Sequence, residues 1–140
     1  MIWLRGIAVW FLIIIVESVH GTIREVLITP RFGDAAARRL GIVTGMALIF
    51  AIAYFTVRWI GTEVPGELIA IGVIWSALTI LFEAILGLYV FDLSPDRVIA
   101  EYDIRQGGLM GFGILFMTFA PVIAALVRQR PRDNGQVTYR

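Results

Sequence analysis

Four long apolar stretches constrain the fold of this chain more than any other feature of its sequence. They cover residues 3–27, 41–61, 66–91 and 107–127. A helix needs about 20 apolar residues to cross a hydrocarbon core of about 30 Å. Lipid offers no hydrogen bonds to the backbone, so a chain crosses it as helices or as a closed barrel. The sequence therefore predicts an all-α integral membrane protein with four transmembrane helices.

Composition limits the functions open to such a chain. It is 59% hydrophobic and 16% charged, against about 45–50% and 25% in soluble domains. A net charge of +1 provides no basic field for nucleic acid, and we predict no nucleic-acid partner. The chain contains no cysteine, which excludes disulfides, thiolate metal sites and a thiol nucleophile. The lipid bilayer is the predicted partner, together with further copies of the chain or another membrane protein.

The N-terminal stretch resembles a signal peptide, because Arg5 precedes an apolar core. No small-x-small cleavage site follows, so we predict that it is retained as the first span. The 12 basic residues are all arginine, which is typical of a GC-rich bacterial genome, and they divide equally between the two sides of the predicted topology. We expect the bacterial inner membrane, with cytoplasmic termini because arginines cluster in the polar and mobile tail, residues 128–140.

The two halves of the chain share polar landmarks at a constant offset of 66 residues, from Glu17 to Glu83. The pattern predicts one transmembrane domain, residues 1–127, built from repeat one (1–61) and repeat two (67–127). Each repeat would form a helical hairpin, and the two would be related by a pseudo-two-fold axis along the membrane normal. Two pairs of arginines also match, as does Gly6 with Gly72, and so do six further glycines in three pairs: Arg31 and Arg97, Arg39 and Arg105; Gly21 and Gly87, Gly41 and Gly107, Gly45 and Gly111.

Those six glycines are predicted to be helix-packing positions. Small residues let two membrane helices approach closely. The patterns "GIVTG" in the second span and "GGLMGFG" in the fourth fit that role better than a phosphate-binding loop, because no strand precedes them.

Polar residues inside two of the spans are the candidates for function. Glu17, His20 and Arg24 are spaced three and four residues apart, so a helix places them on one face. Thr79 and Glu83 form the matching stripe on the third span. A charged side chain at membrane depth costs about 2.5 kcal/mol or more unless it is paired, protonated or hydrated.

Three interpretations of this stripe stay open, and the first two concern the glutamates. In the first it is a structural clasp, in which Arg39 and Arg105, at the start of the second and fourth spans, pair with the glutamates. In the second the glutamates face a shared cavity. Two close carboxylates cannot both be comfortably ionised, so the pair can exchange a proton, and His20 adds a second titrating group.

A third interpretation takes "ESVH" as Glu-x-x-His, the spacing that di-iron bundles use on two helices. With one histidine in the chain, the second Glu-x-x-His of a two-metal site is missing, and a bis-histidine haem within one chain is excluded. Glu17, His20 and Glu83 remain weak candidates for one metal or for haem shared between two copies. We predict no metal, no cofactor and no catalytic residue, since no G-x-S-x-G or H-E-x-x-H motif is present.

The sequence thus favours a small, oligomeric, transporter-like protein that moves an ion or a small polar solute. The alternative is a non-catalytic accessory or assembly subunit of a larger membrane complex, in which the glutamate and arginine cluster only holds helices together.

Overall fold

A computed structural model of the chain describes residues 1–106 and 108–128. All regular structure in these two ranges is helical. Four long helices are apolar enough to cross a membrane, and we refer to them as the first to the fourth helix: Ile2–Phe32, Asp34–Ile60, Pro65–Val90 and Met110–Arg128. This architecture confirms the predicted all-α class with four candidate membrane spans. Gly107 and all but the first residue of the predicted mobile tail lie outside the described residues.

The connection between the first two helices differs from the sequence prediction. The predicted spans leave a charged connection at residues 28–40, but the first helix continues through a π-helical stretch, Arg24–Ile28, and a last α-helical turn, Thr29–Phe32. The second helix begins at Asp34, so Gly33 alone joins the two. Its φ of 84° and ψ of 163° lie in a region open essentially only to glycine. One glycine therefore replaces the expected loop.

The connection between the third and fourth helices is longer. The third helix ends in its own π-helical stretch, Leu86–Val90, and a separate short helix follows, Pro95–Ala100. The Ser94 side chain caps this helix by accepting a hydrogen bond from the backbone N–H of Arg97. A 3-10 turn, Ile104–Gln106, precedes the fourth helix. This second charged connection therefore contains a separate short helix.

The four helices pack in a ring around an apolar core. The second and third helices each pack extensively against the fourth, and the first packs against the second, whereas the first and third share a much smaller contact. Fully buried Ile13 and Trp75 belong to this core. Long apolar side chains such as Phe55 and Leu115 are exposed on the outside, where lipid would surround them.

Two tryptophans join the first and third helices. The indole N–H of Trp10 donates to the Thr79 hydroxyl at 3.0 Å, and that of Trp75 donates to the Gly6 carbonyl at 2.8 Å. Each helix therefore supplies one indole donor to the other, which satisfies both buried N–H groups. The duplication and its two-fold axis stay predictions, because this packing does not require a common origin of the two halves.

Candidate functional site

A polar cluster lies halfway along the first helix. Glu17 is about 22 Å of helical rise from either end of that helix. The Glu17 and His20 side chains are only 25% and 18% exposed. An ionisable pair at this depth, in a helix that is otherwise strongly apolar, costs free energy in lipid unless it is paired, protonated or hydrated.

His20 connects the first helix to the second through its two ring nitrogens. Its Nδ1 lies 3.3 Å from Oε2 of Glu17, as expected one helical turn apart. Its Nε2 lies 2.7 Å from the hydroxyl oxygen of Thr44. The sequence reasoning did not single out Thr44. The signal available was a threonine between two packing glycines in "GIVTG", without any indication of which helix it would face.

Two of the predicted packing glycines make room for these polar side chains. A Cβ atom at position 45 would lie 3.1 Å from Oε2 of Glu17. A Cβ atom at position 41 would lie 2.8 Å from Cδ of Arg24. Gly41 and Gly45 therefore admit charged side chains of the first helix, rather than another apolar surface.

Arg24 and Glu83 complete the cluster. Glu17 lies within electrostatic range of both Glu83 and the Arg24 guanidinium. Arg24 also pairs with Glu25 at 3.1 Å. Two buried atoms nevertheless lack a hydrogen-bond partner among the described residues, namely Oε1 of Glu17 and Nε of Arg24.

Tyr102, in the connection before the fourth helix, is a further member that the sequence reasoning missed. Its buried hydroxyl has no hydrogen-bond partner within the described ranges. Burial raises the pKa of the Tyr102 phenol, and the negative charges of Glu83 and Glu101 raise it further. No periodicity could have placed this side chain, because it belongs to a connection without a regular repeat.

An open cleft of about 410 Å³ lies next to this connection. Glu101 lines the cleft and also lies within electrostatic range of Glu83. Arg38 lines it from the second helix and pairs with Asp34 at 3.0 Å and with Glu101 at 3.6 Å. Charged groups thus continue from the cleft toward the cluster at membrane depth.

Two predicted members of the cluster are not part of it. Arg39 and Arg105 are exposed, and neither forms an ion pair with a described residue. The second helix extends back to Asp34, so Arg39 lies within it, and the inward-facing neighbour Arg38 makes the ion pairs. The predicted pairs of Arg39 with Glu17 and of Arg105 with Glu83 are therefore absent from the described structure.

Other predicted positions have different surroundings from those expected. A Cβ atom at Gly21 would meet nothing within 4 Å in the described part of the chain, so none of the other three long helices packs closely there. Gly87 faces Val98 and Leu93 of the following connection, and Gly111 faces the backbone of Tyr102. Thr79 is buried in the core, where it accepts from Trp10 and donates to the sulfur of Met117.

The chemistry available to the cluster is proton binding and the recognition of a small polar or charged species. In residues 1–106 and 108–128, no three histidine or carboxylate side chains lie close enough together to hold a metal ion. Comparisons with protein-family models, with curated proteins and with solved structures found no match. The site must therefore be interpreted from its own geometry.

Proposed function

We propose that this chain is a small transporter-like membrane protein that moves an ion or a small polar solute through a site formed by Glu17, His20 and Glu83. One observation carries the proposal: Oε1 of Glu17 is buried and has no hydrogen-bond partner among the described residues, beside the similarly unpaired Nε of Arg24. A buried polar group without a partner costs several kcal/mol in an apolar medium. A clasp gains stability only when its polar groups are satisfied, whereas a binding site gains its partner from the solute.

The surroundings of the cluster support the same function. Among the described residues, neither Arg39 nor Arg105 forms an ion pair with Glu17 or Glu83, so the predicted clasp is not formed. The cleft lined by Arg38 and Glu101 lies at the end of the bundle that carries the short helix, and Glu101 is within electrostatic range of Glu83. A transporter needs such access to a site inside the membrane, because its solute has to leave water.

The proposal includes an origin by tandem duplication, in which Glu17 and Glu83 are equivalent. The position equivalent to His20 is Leu86, so the first repeat alone supplies a histidine. It also includes an oligomer in the bacterial inner membrane with cytoplasmic termini, because the terminal arginines are dense on that side.

The test uses purified protein reconstituted in vesicles that enclose a pH-sensitive dye. Proton flux is measured after a pH jump and after imposed gradients of Na⁺ or K⁺. We expect flux through the wild type, and at least a tenfold loss in Glu17→Gln and in Glu83→Gln. Both substitutions keep the size of the side chain while removing its charge and its titration.

Glu63→Gln is the matched control, because Glu63 is exposed in the turn between the second and third helices. It should leave flux unchanged. Wild-type vesicles that conduct no better than empty ones under every gradient would contradict the proposal. So would normal flux in both glutamine variants.

The same unpaired atoms also favour one second candidate, an accessory subunit of a larger complex. A polar side chain on a partner helix would satisfy Oε1 of Glu17 as well as a solute would. Native mass spectrometry of the protein, extracted gently from its host membrane, separates the two. A defined hetero-complex that dissociates in Glu17→Gln supports the subunit, and a homo-oligomer supports transport.

A further inference from the structure

We propose that Thr44 is a positioning residue, which holds His20 as the tautomer protonated on Nε2 and so makes Glu17 and His20 a site for one shared proton. The inference deepens the proposed function and rests on it only for the role of this proton in transport. The hydrogen-bond argument stands on the contacts of three side chains.

The first step concerns the single hydrogen of the Thr44 hydroxyl. The hydroxyl oxygen lies 2.8 Å from the Leu40 carbonyl oxygen, one turn earlier in the same helix. Two oxygens at that distance repel each other unless a hydrogen lies between them. A carbonyl has no hydrogen to give, so the Thr44 hydroxyl donates to Leu40, as threonines in membrane helices commonly do.

The second step follows for the histidine ring. Because the Thr44 hydrogen is directed at Leu40, its oxygen can only accept from His20. Nε2 of His20, 2.7 Å away, must therefore carry a hydrogen. In a neutral imidazole this leaves Nδ1 with a lone pair.

The third step concerns the contact between His20 and Glu17. Nδ1 lies 3.3 Å from Oε2 of Glu17. A lone pair facing an ionised carboxylate would be repulsive, so one proton belongs between these atoms. The proton is held either by Glu17 or by His20, whose imidazolium then forms an ion pair with Glu17. In both forms the pair is neutral overall, the form that lipid tolerates best.

The charges facing the pair come from two helices. Arg24, on the first helix, faces both Glu17 and His20, and Glu83, on the third helix, faces Glu17. From the second helix, the Thr44 hydroxyl makes the contact. When the shared proton leaves for water, Glu17 needs a replacement at the same place. The solute that displaces it must therefore bring a positive charge or a hydrogen-bond donor, which couples binding to the release of one proton.

The test uses the fact that the chain contains a single histidine. Protein labelled with ¹⁵N-histidine, in lipid nanodiscs, gives one pair of ring nitrogen signals, and their shifts report which nitrogen carries hydrogen. We expect Nε2 to be protonated at every pH at which the protein stays folded. Thr44→Val removes the acceptor without changing the side-chain size and should shift the ring at least partly to the Nδ1-protonated tautomer. Thr44→Ser keeps the hydroxyl and should restore the wild-type spectrum.

The inference is overturned if wild-type His20 shows a bare Nε2, or if Thr44→Val leaves both nitrogen signals where they were. Vesicle flux, measured on the same three proteins, separates this from the proposed function. The expected spectra with no wild-type flux would remove the transport function and keep the tautomer. Wild-type flux together with an Nε2 that carries no hydrogen would remove the tautomer assignment and keep the transport function.

Discussion

Outside the membrane spans, Tyr102 is the residue whose ionisation is most clearly opposed by burial and by neighbouring negative charge. Its phenol is buried near the carboxylates of Glu83 and Glu101, which raises its pKa above the ordinary value. The folded protein therefore keeps this proton to higher pH than the unfolded chain does. The resulting stabilisation is fully present below about pH 10, the ordinary tyrosine pKa, and is lost as the pH rises through the raised pKa.

An alkaline titration followed by phenolate absorbance tests this effect. One of the four tyrosines should ionise later than the others, and Tyr102→Phe should remove that late step. The substitution also removes a buried hydroxyl without a partner, so we expect it to leave the free energy of unfolding unchanged or to raise it slightly.

Tyr89→Phe is the matched control, because Tyr89 is 81% exposed. It should leave the late step in place. A titration that looks the same in the wild type and in Tyr102→Phe would contradict the assignment.

The sequence predicts residue positions well where a single helix determines them. Helical spacing correctly placed Glu17, His20 and Arg24 on one face. It could not place Thr44 opposite His20, because that contact depends on how two helices face each other. It also misassigned Arg39. Arg38 and Arg39 are the same residue type, but neighbours on a helix lie about 100° apart, and Arg38 makes the ion pairs while Arg39 is exposed.

At the scale of single elements, the third and fourth helices approach closely at Gly72. A Cβ atom there would lie 1.9 Å from the backbone oxygen of Thr118. Backbone atoms cannot rotate away as a flexible side chain can, so a methyl group at this position must separate the two helices. Sequence reasoning singled out other glycines as packing positions, because the repeat pattern says nothing about the distance between helices.

Gly72→Ala should destabilise the protein by about 1–3 kcal/mol, the usual range for an overpacked core. Unfolding in mixed detergent micelles, followed by tryptophan fluorescence, measures the change. Gly66→Ala on the same helix is the matched control, because a Cβ atom there meets no described atom within 4 Å. Equal stability of the two variants would show that the close approach at Gly72 does not hold the helices together.

The junction between the first two helices shows why element boundaries escaped the sequence. Pro30 and Gly33, in a charged stretch, predict a loop. The π-helical stretch that ends at Ile28 changes the hydrogen-bond register just before Pro30, which has no N–H to donate. The helix therefore continues past the proline to Phe32, and the local composition contains no signal for this change of register.

For the whole molecule, the strongest prediction is its arrangement in the membrane. Four spans place the turn at Glu63 and the short helix at Ile99 on opposite sides. The natural chain has no cysteine, so single cysteines can be introduced without background labelling. Apolar stretches of this length predicted the number of candidate spans correctly, because the demands of lipid act on each helix separately.

A membrane-impermeant maleimide should label Glu63→Cys and Ile99→Cys from opposite faces of sealed vesicles. A spin label at Leu115→Cys should meet oxygen dissolved in lipid, because Leu115 is 60% exposed on the fourth helix. Ile13→Cys is the buried counterpart, at 0% exposure, and should be protected from both probes. Labelling of positions 63 and 99 from the same face would contradict the four-span topology.

The unequal lengths of the helices have a consequence for the surrounding bilayer. The first helix has 31 residues and rises about 46 Å, whereas the fourth has 19 and rises about 28 Å. A hydrocarbon core of about 30 Å matches the fourth helix, so the first either tilts or extends past the core at its charged end. A change in acyl-chain length would then alter the tilt of the first helix or the depth at which Glu17 and His20 lie.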